Sequence, residues 1–157
     1  MNKRMINLTI LLTWALSFNL FAHQGEHQEK QTKLMTGLDS EAAQVVTKFH
    51  QALRSKDTDS VRSLLNDDVL IYESGKAERS LEEYAAGHMK ADMQYLAQIK
   101  SKLLEHQVKV SGDTAISTAR FENTRMVAGR ARVSISMETI VVSKIDGEWL
   151  ISHIHWS

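Results

Sequence analysis

The chain has 157 residues, 43% of them apolar and 24% charged, which suits one ordinary domain with a short appendage. Lys+Arg and Asp+Glu number 19 each, so neither the basic footprint of a nucleic-acid binder nor an acidic disordered tail is present. Without cysteine there is no disulfide framework, thiolate metal site or cysteine nucleophile, and without proline no turn rests on a cis X–Pro bond.

Lys3 and Arg4 precede an apolar run from Leu8 to Ala22, broken by Thr9, Thr13, Ser17 and Asn19. The run is too short and too broken for a membrane span of about 20 residues. A basic start, an apolar stretch and a small residue at Ala22 predict an export signal over residues 1–22, with Leu20 a poor fit two places before the cleavage residue. The expected location is periplasmic or secreted, with no membrane attachment after cleavage; an uncleaved tether is the alternative. Cleavage leaves 17 basic against 19 acidic residues.

Residues 23–39 are expected to be a flexible polar leader. If the mature chain starts at His23, its free amine, His23 and His27 form a nitrogen set of the kind copper(II) takes. Two histidines in a soluble linker are the plainer reading.

The domain is expected over residues 40–157. Ala42, Val45, Val46, Phe49 and Leu53 follow helical spacing behind Ser40 or Asp39 as cap. A short second helix starts at Asp57–Asp59 and buries Val61, Leu64 and Leu65; Val69–Tyr72 reads as a strand closed by Ser74-Gly75. Ser80 and Glu83 form a capping box for a third helix running to about Gln98. On that helix His88 and Asp92 are four residues apart, near the middle of an arc that also holds Leu81, Ala85 and Tyr84. An imidazole and a carboxylate on an apolar face need each other, because burying either alone is costly. They form either a satisfied pair pinning helix to sheet or a polar cluster facing a cavity. In the second case His88, Asp92 and Tyr84 are candidates for proton transfer, and His88 for metal ligation.

The period then changes from helix to strand. Leu104, His106, Val108 and Val110 alternate with polar residues up to the turn Ser111-Gly112-Asp113, and Thr114–Glu122 returns. Arg130–Lys144 is a long strand, Asp146-Gly147 a tight turn, and Trp149–Trp156 the last strand. Strict alternation puts Trp149, Ile151, His153 and His155 on one face of it. A two-residue loop sets His155 opposite Glu138, and a bulged loop sets it opposite Met137; the sequence leaves both open. His153 and His155 are candidate metal ligands if His88 or a carboxylate converges on them; histidines at a pocket or dimer rim are the plainer reading.

Tyr72-Glu73-Ser74-Gly75-Lys76-Ala77-Glu78-Arg79-Ser80, Glu83-Tyr84-Ala85, His88-Met89-Lys90-Ala91-Asp92-Met93 and the ending Asp146-Gly147-Glu148-Trp149 to His155-Trp156-Ser157 resemble the SnoaL-like branch of the nuclear transport factor 2-like superfamily. The resemblance covers about residues 40–157. It implies an α+β cone, with three N-terminal helices packed on a strongly curved antiparallel sheet, a pocket between them, and frequent dimerisation through the sheet. It does not fix a reaction: members include ketosteroid isomerase, scytalone dehydratase, polyketide cyclases and non-catalytic modules. Tyr72, Tyr84 and Asp92 are the residue types an isomerase uses, and His88 with Asp92 those a dehydratase uses, but neither family motif matches residue by residue.

The expectation is therefore an exported small-molecule-binding protein and homodimer. Its pocket is lined by Tyr72, Glu73, Met89, His153 and His155 beside His88 and Asp92. Glu73 and Glu78 flank a Gly75 loop able to cover the pocket, or are plain surface charge; Arg120, Glu122 and Arg125 read as a solvated strand face. Proton-transfer catalysis and zinc or copper binding through histidines are the alternatives. No cofactor and no nucleic-acid partner are predicted.

Overall fold

The computed structural model describes residues 34–157. The export segment and the histidines His23 and His27 therefore lie outside the described residues.

A two-residue strand β1 (Met35–Thr36) precedes helices α1 (Glu41–Ser55) and α2 (Thr58–Leu64). Strands β2 (Leu65–Glu73) and β3 (Lys76–Glu78) form a hairpin, followed by helices α3 (Leu81–Ala86) and α4 (Met89–Gln98). Four long strands close the chain: β4 (Lys100–Ser111), β5 (Thr114–Val127), β6 (Arg130–Ile145) and β7 (Glu148–Trp156). All seven strands belong to one curved, unclosed sheet in the order β1-β4-β5-β6-β7-β2-β3. Most neighbours are antiparallel, as expected, but β1 lies parallel to β4 and β2 parallel to β7. The sheet is thus mixed, and residues 35–36, expected in the polar leader, form its first edge. Gly37 makes that docking possible: its φ is +68°, and a Cβ there would sit 2.0 Å from the Val108 carbonyl oxygen.

The helices start where their caps place them. The Ser40 hydroxyl accepts from Ala43 N at 3.2 Å, and the Asp57 carboxylate accepts from Ser60 N at 3.0 Å. Helix α1 buries Ala42, Val46, Phe49 and Leu53 against Ile140, Val142, Ile151 and Ile154 from the sheet, in a single apolar core.

The expected third helix is two helices. At α3 half of the capping box forms: Ser80 Oγ accepts from Glu83 N at 3.1 Å, while Glu83 reaches back one residue further, to Arg79 N at 2.6 Å. The helix ends at Gly87. There the Glu78 carboxylate, arriving from β3, takes the His88 N–H at 3.0 Å that a continuous helix would have donated to Tyr84. A Cβ on residue 87 would fall 2.5 Å from Glu78 Oε1, so only glycine lets that carboxylate in. Helix α4 restarts behind His88, with Asp92 N donating to the His88 carbonyl at 2.9 Å.

Strand β7 departs from strict alternation. The Asp146-Gly147 turn sets Ile145 opposite Glu148 and Val142 opposite Ile151, but beyond Ser152 the partners become Val141–His153, Ile140–Ile154, Thr139–His155 and Glu138–Trp156. Ser152 is the extra residue of a bulge, its hydroxyl shared with Ser143 Oγ at 2.8 Å. The register of a two-residue loop therefore holds as far as Val142–Ile151 and is lost beyond Ser152, so His155 faces neither Glu138 nor Met137. The bulge changes the parity of the strand, so Ile151 and Ile154 both enter the core, and His153 and His155 turn to the other face.

Candidate functional site

Between α1, α4 and the concave side of the sheet lies a cavity of about 620 Å³. Its wall draws on His50 and Arg54 of α1, Glu73 of β2, Asp92 and Leu96 of α4, Phe121 and Asn123 of β5, Glu138 of β6, and Trp156 of β7. A polar ladder crosses three strands of this wall: Ser101 Oγ donates to Asn123 Oδ1 at 2.6 Å, and Asn123 Nδ2 donates to Ser136 Oγ at 2.8 Å.

Two carboxylates dominate its chemistry. Glu138 is 5% exposed, on a strand whose neighbouring inward residues are Ile140 and Val142. One of its oxygens, Oε2, accepts from His50 Nε2 at 2.8 Å and from the Trp156 indole N–H at 2.7 Å. Burial pushes its pKa up, but His50 and the two hydrogen bonds outweigh burial and leave it below the usual carboxylate range. Its other oxygen, Oε1, is buried with no partner in the protein. Asp92 behaves oppositely. Burial, reinforced by the charge of Glu73, pushes its pKa up to about 7, although the Tyr84 hydroxyl donates to Oδ2 at 3.0 Å and His88 lies nearby. Glu73 is also raised, by burial first, with Glu78 adding to the effect and His88 and Lys76 opposing it. The Tyr84 phenol is pushed well above its ordinary value, by burial and then by Asp92, so it stays a donor.

The expected His88–Asp92 pair does not form. His88 Nδ1 donates to Glu78 Oε1 at 2.8 Å, and Lys76 Nζ approaches its Nε2 at 3.4 Å, which occupies both ring nitrogens. The break at Gly87 is the cause, because it brings Glu78 beside His88 and leaves Asp92 to Tyr84. Of the residues expected in the pocket, Glu73 and Asp92 border the cavity; His155 touches its border, but its exposed ring lies on the outer face beside Tyr72, at a centroid separation of 6.3 Å. Met89 and Tyr84 are instead buried in the apolar core. Tyr72 and His153 are on the outer face, their rings edge to face at a centroid separation of 5.4 Å, and His153 Nδ1 donates to the Leu70 carbonyl at 2.7 Å. Tyr72 points outward because it alternates with the buried Ile71 on β2, His153 because of the β7 bulge, and Met89 enters the core from α4, which restarts after the break at Gly87. No group of three or more His, Asp or Glu side chains among the described residues is placed to hold a metal ion. His88, His153 and His155 accordingly do not converge.

His50 and Glu138 are cavity residues that were not expected at the site. The signal was a polar residue at an apolar period: His50 falls four after Val46 and three before Leu53, and Glu138 two before Ile140.

A pocket closed on one side by a curved, unclosed sheet and on the other by helices, with one buried and two partly buried carboxylates on its wall, defines an α+β pocket protein of the cone type. The chain belongs to the SnoaL-like domain family, whose model matches residues 42–157. Among solved structures it is 46% identical to a protein from Shewanella frigidimarina provisionally described as a ketosteroid isomerase, covering 78% of this chain and 98% of that one with a TM-score of 0.74. A nuclear transport factor 2-like protein of unknown function from Pseudomonas putida is 20% identical, covering 76% of this chain and 84% of that one with a TM-score of 0.63. The CaMKII hub of S. rosetta is 22% identical, covering 76% and 95% with a TM-score of 0.63. No curated protein matches the chain significantly.

Proposed function

We propose that the protein binds a small molecule in the cavity between its helices and its sheet. The observation that carries this reading is the cavity itself. Its volume of about 620 Å³ falls within the range of small-molecule sites, and rings and aliphatic groups from Phe121, Trp156 and Leu96 alternate with a few placed polar groups. Calorimetric titration with three compact aromatic probes, benzylamine, benzyl alcohol and benzoate, tests it. At least one binds the wild type, and binding is lost in Ala91→Phe, which puts a ring from an exposed position of α4 into the cavity. If no probe binds, or if Ala91→Phe binds as well as the wild type, the reading fails.

A second reading, proton transfer, is favoured by Asp92. A carboxyl with a pKa of about 7 on a cavity wall, held by a phenol that stays protonated, suits moving a proton next to a carbonyl at neutral pH. Its substrate class is a β,γ-unsaturated ketone, consistent with the provisional description of the Shewanella frigidimarina relative. Ultraviolet detection of the conjugated product checks it, and turnover that persists in Asp92→Asn contradicts it.

Export is part of the proposal, supported by Lys3, Arg4 and the apolar run to Ala22. An intact mass beginning at His23 is expected for exported material, and a mass retaining Lys3 and Arg4 excludes cleavage. Assembly into a homodimer through the outer face of the sheet completes it.

A further inference from the structure

The described part of the molecule holds other polar clusters. Glu78, His88 and Lys76 satisfy one another, and the buried His106 spends its Nε2 on Ser117 at 2.9 Å. Neither cluster leaves a group for a ligand. Glu138 does. Its carboxylate is almost wholly withdrawn from water, borders the cavity, and is held on one oxygen by His50 and Trp156. Oε1 is, among the described residues, the buried side-chain oxygen without a partner. A buried acceptor left unsatisfied costs free energy, and the group that satisfies it must be a donor.

The charges around the cavity say which kind of donor. Glu73, Asp92 and Glu138 border it, against the single guanidinium of Arg54 and the imidazole of His50. A cation relieves the crowding of carboxylates that an anion would aggravate. The rings of Phe121 and Trp156 border the same space, and aromatic faces attract cations.

We infer that the ligand is a small aromatic or alicyclic amine bound in its protonated form, its N–H donating to Glu138 Oε1 with its ring among the apolar side chains of the cavity. This rests on the small-molecule reading above and specifies its ligand class.

The same three probes, equal in shape and different in charge, test it. Benzylamine binds the wild type about tenfold or more tightly than benzyl alcohol, the gain expected of a charge-assisted hydrogen bond, and benzoate binds weakest. In Glu138→Gln, benzylamine falls to the level of benzyl alcohol, while the alcohol itself changes by less than about threefold. Benzyl alcohol or benzoate binding as well as benzylamine overturns the amine assignment and leaves the small-molecule reading intact. A benzylamine preference that survives Glu138→Gln overturns the role of Glu138. Failure of all three probes overturns both. The wild-type ranking needs no variant, so the charge preference remains testable if Glu138→Gln does not fold.

Discussion

Asp92 and Glu138 lie in one cavity wall and titrate in opposite directions because their neighbours differ. Glu138 meets donors, His50 and Trp156, whereas Asp92 meets Glu73 across the cavity and only the Tyr84 hydroxyl as donor. The Asp92 shift has a consequence for stability. Its folded pKa of about 7 is above the ordinary carboxyl value, so between the two the folded state holds the extra proton. The stabilisation is fully present below about pH 4 and is lost as pH rises through about 7. Asp92→Asn keeps an acceptor for Tyr84 and removes the titration. Discounted for partial exposure, the variant should be more stable than the wild type by roughly 1–2 kcal/mol at about pH 8 and equal to it at about pH 4. Urea unfolding at both pH values checks this, and a difference independent of pH contradicts it.

At the scale of elements, most of the order along the chain was legible in the sequence: the cap at Ser40, the start of the second helix at Asp57–Asp59, the long strands, and the turns at Gly112 and Gly147. Two local events were not, and both decide the site. The bulge at Ser152 leaves no mark on the alternation of β7, since Leu150, Ile151 and Ile154 are apolar on either parity. The break at Gly87 depends on Glu78, a residue of another element, and periodicity cannot see a tertiary contact. The same limit explains why His88 and Asp92 looked paired. Two effects compete at Gly87. Alanine gains about 1 kcal/mol of helix propensity, but its Cβ would sit 2.5 Å from Glu78 Oε1 and 2.9 Å from the Glu83 carbonyl oxygen. Displacing a carboxylate that accepts both His88 N–H groups outweighs the gain, so Gly87→Ala should destabilise by about 1–3 kcal/mol net. Denaturant midpoints measure this, and a stabilised variant would show that the break is not held by Glu78.

At the scale of the molecule, the sheet has two unlike faces. The concave face carries the core and the cavity; the outer face leaves Ile116, Val133, Ile135 and Met137 each about half exposed on the adjacent strands β5 and β6. An apolar patch of this kind on a sheet marks an interaction surface, and dimeric pairing through it agrees with the superfamily resemblance. Ile135→Glu should then give a monomer with unchanged circular dichroism, as read by sedimentation velocity. A wild type that sediments as a monomer, or an Ile135→Glu variant that remains a dimer, would contradict this. Among the described residues no helix is long and apolar enough to cross a membrane.

The central claim, a ligand in the cavity, has a built-in reporter. The Trp156 indole N–H donates to Glu138 on the cavity wall, whereas the Trp149 indole N–H donates to Glu41 at 3.2 Å, away from it. Proton–nitrogen NMR of the indole groups during titration with benzylamine, benzyl alcohol and benzoate follows both at once. The account predicts that, with at least one probe, the Trp156 signal moves progressively to saturation while that of Trp149 stays in place. A stationary Trp156 signal with all three probes, or movement of Trp149 alone, would contradict it.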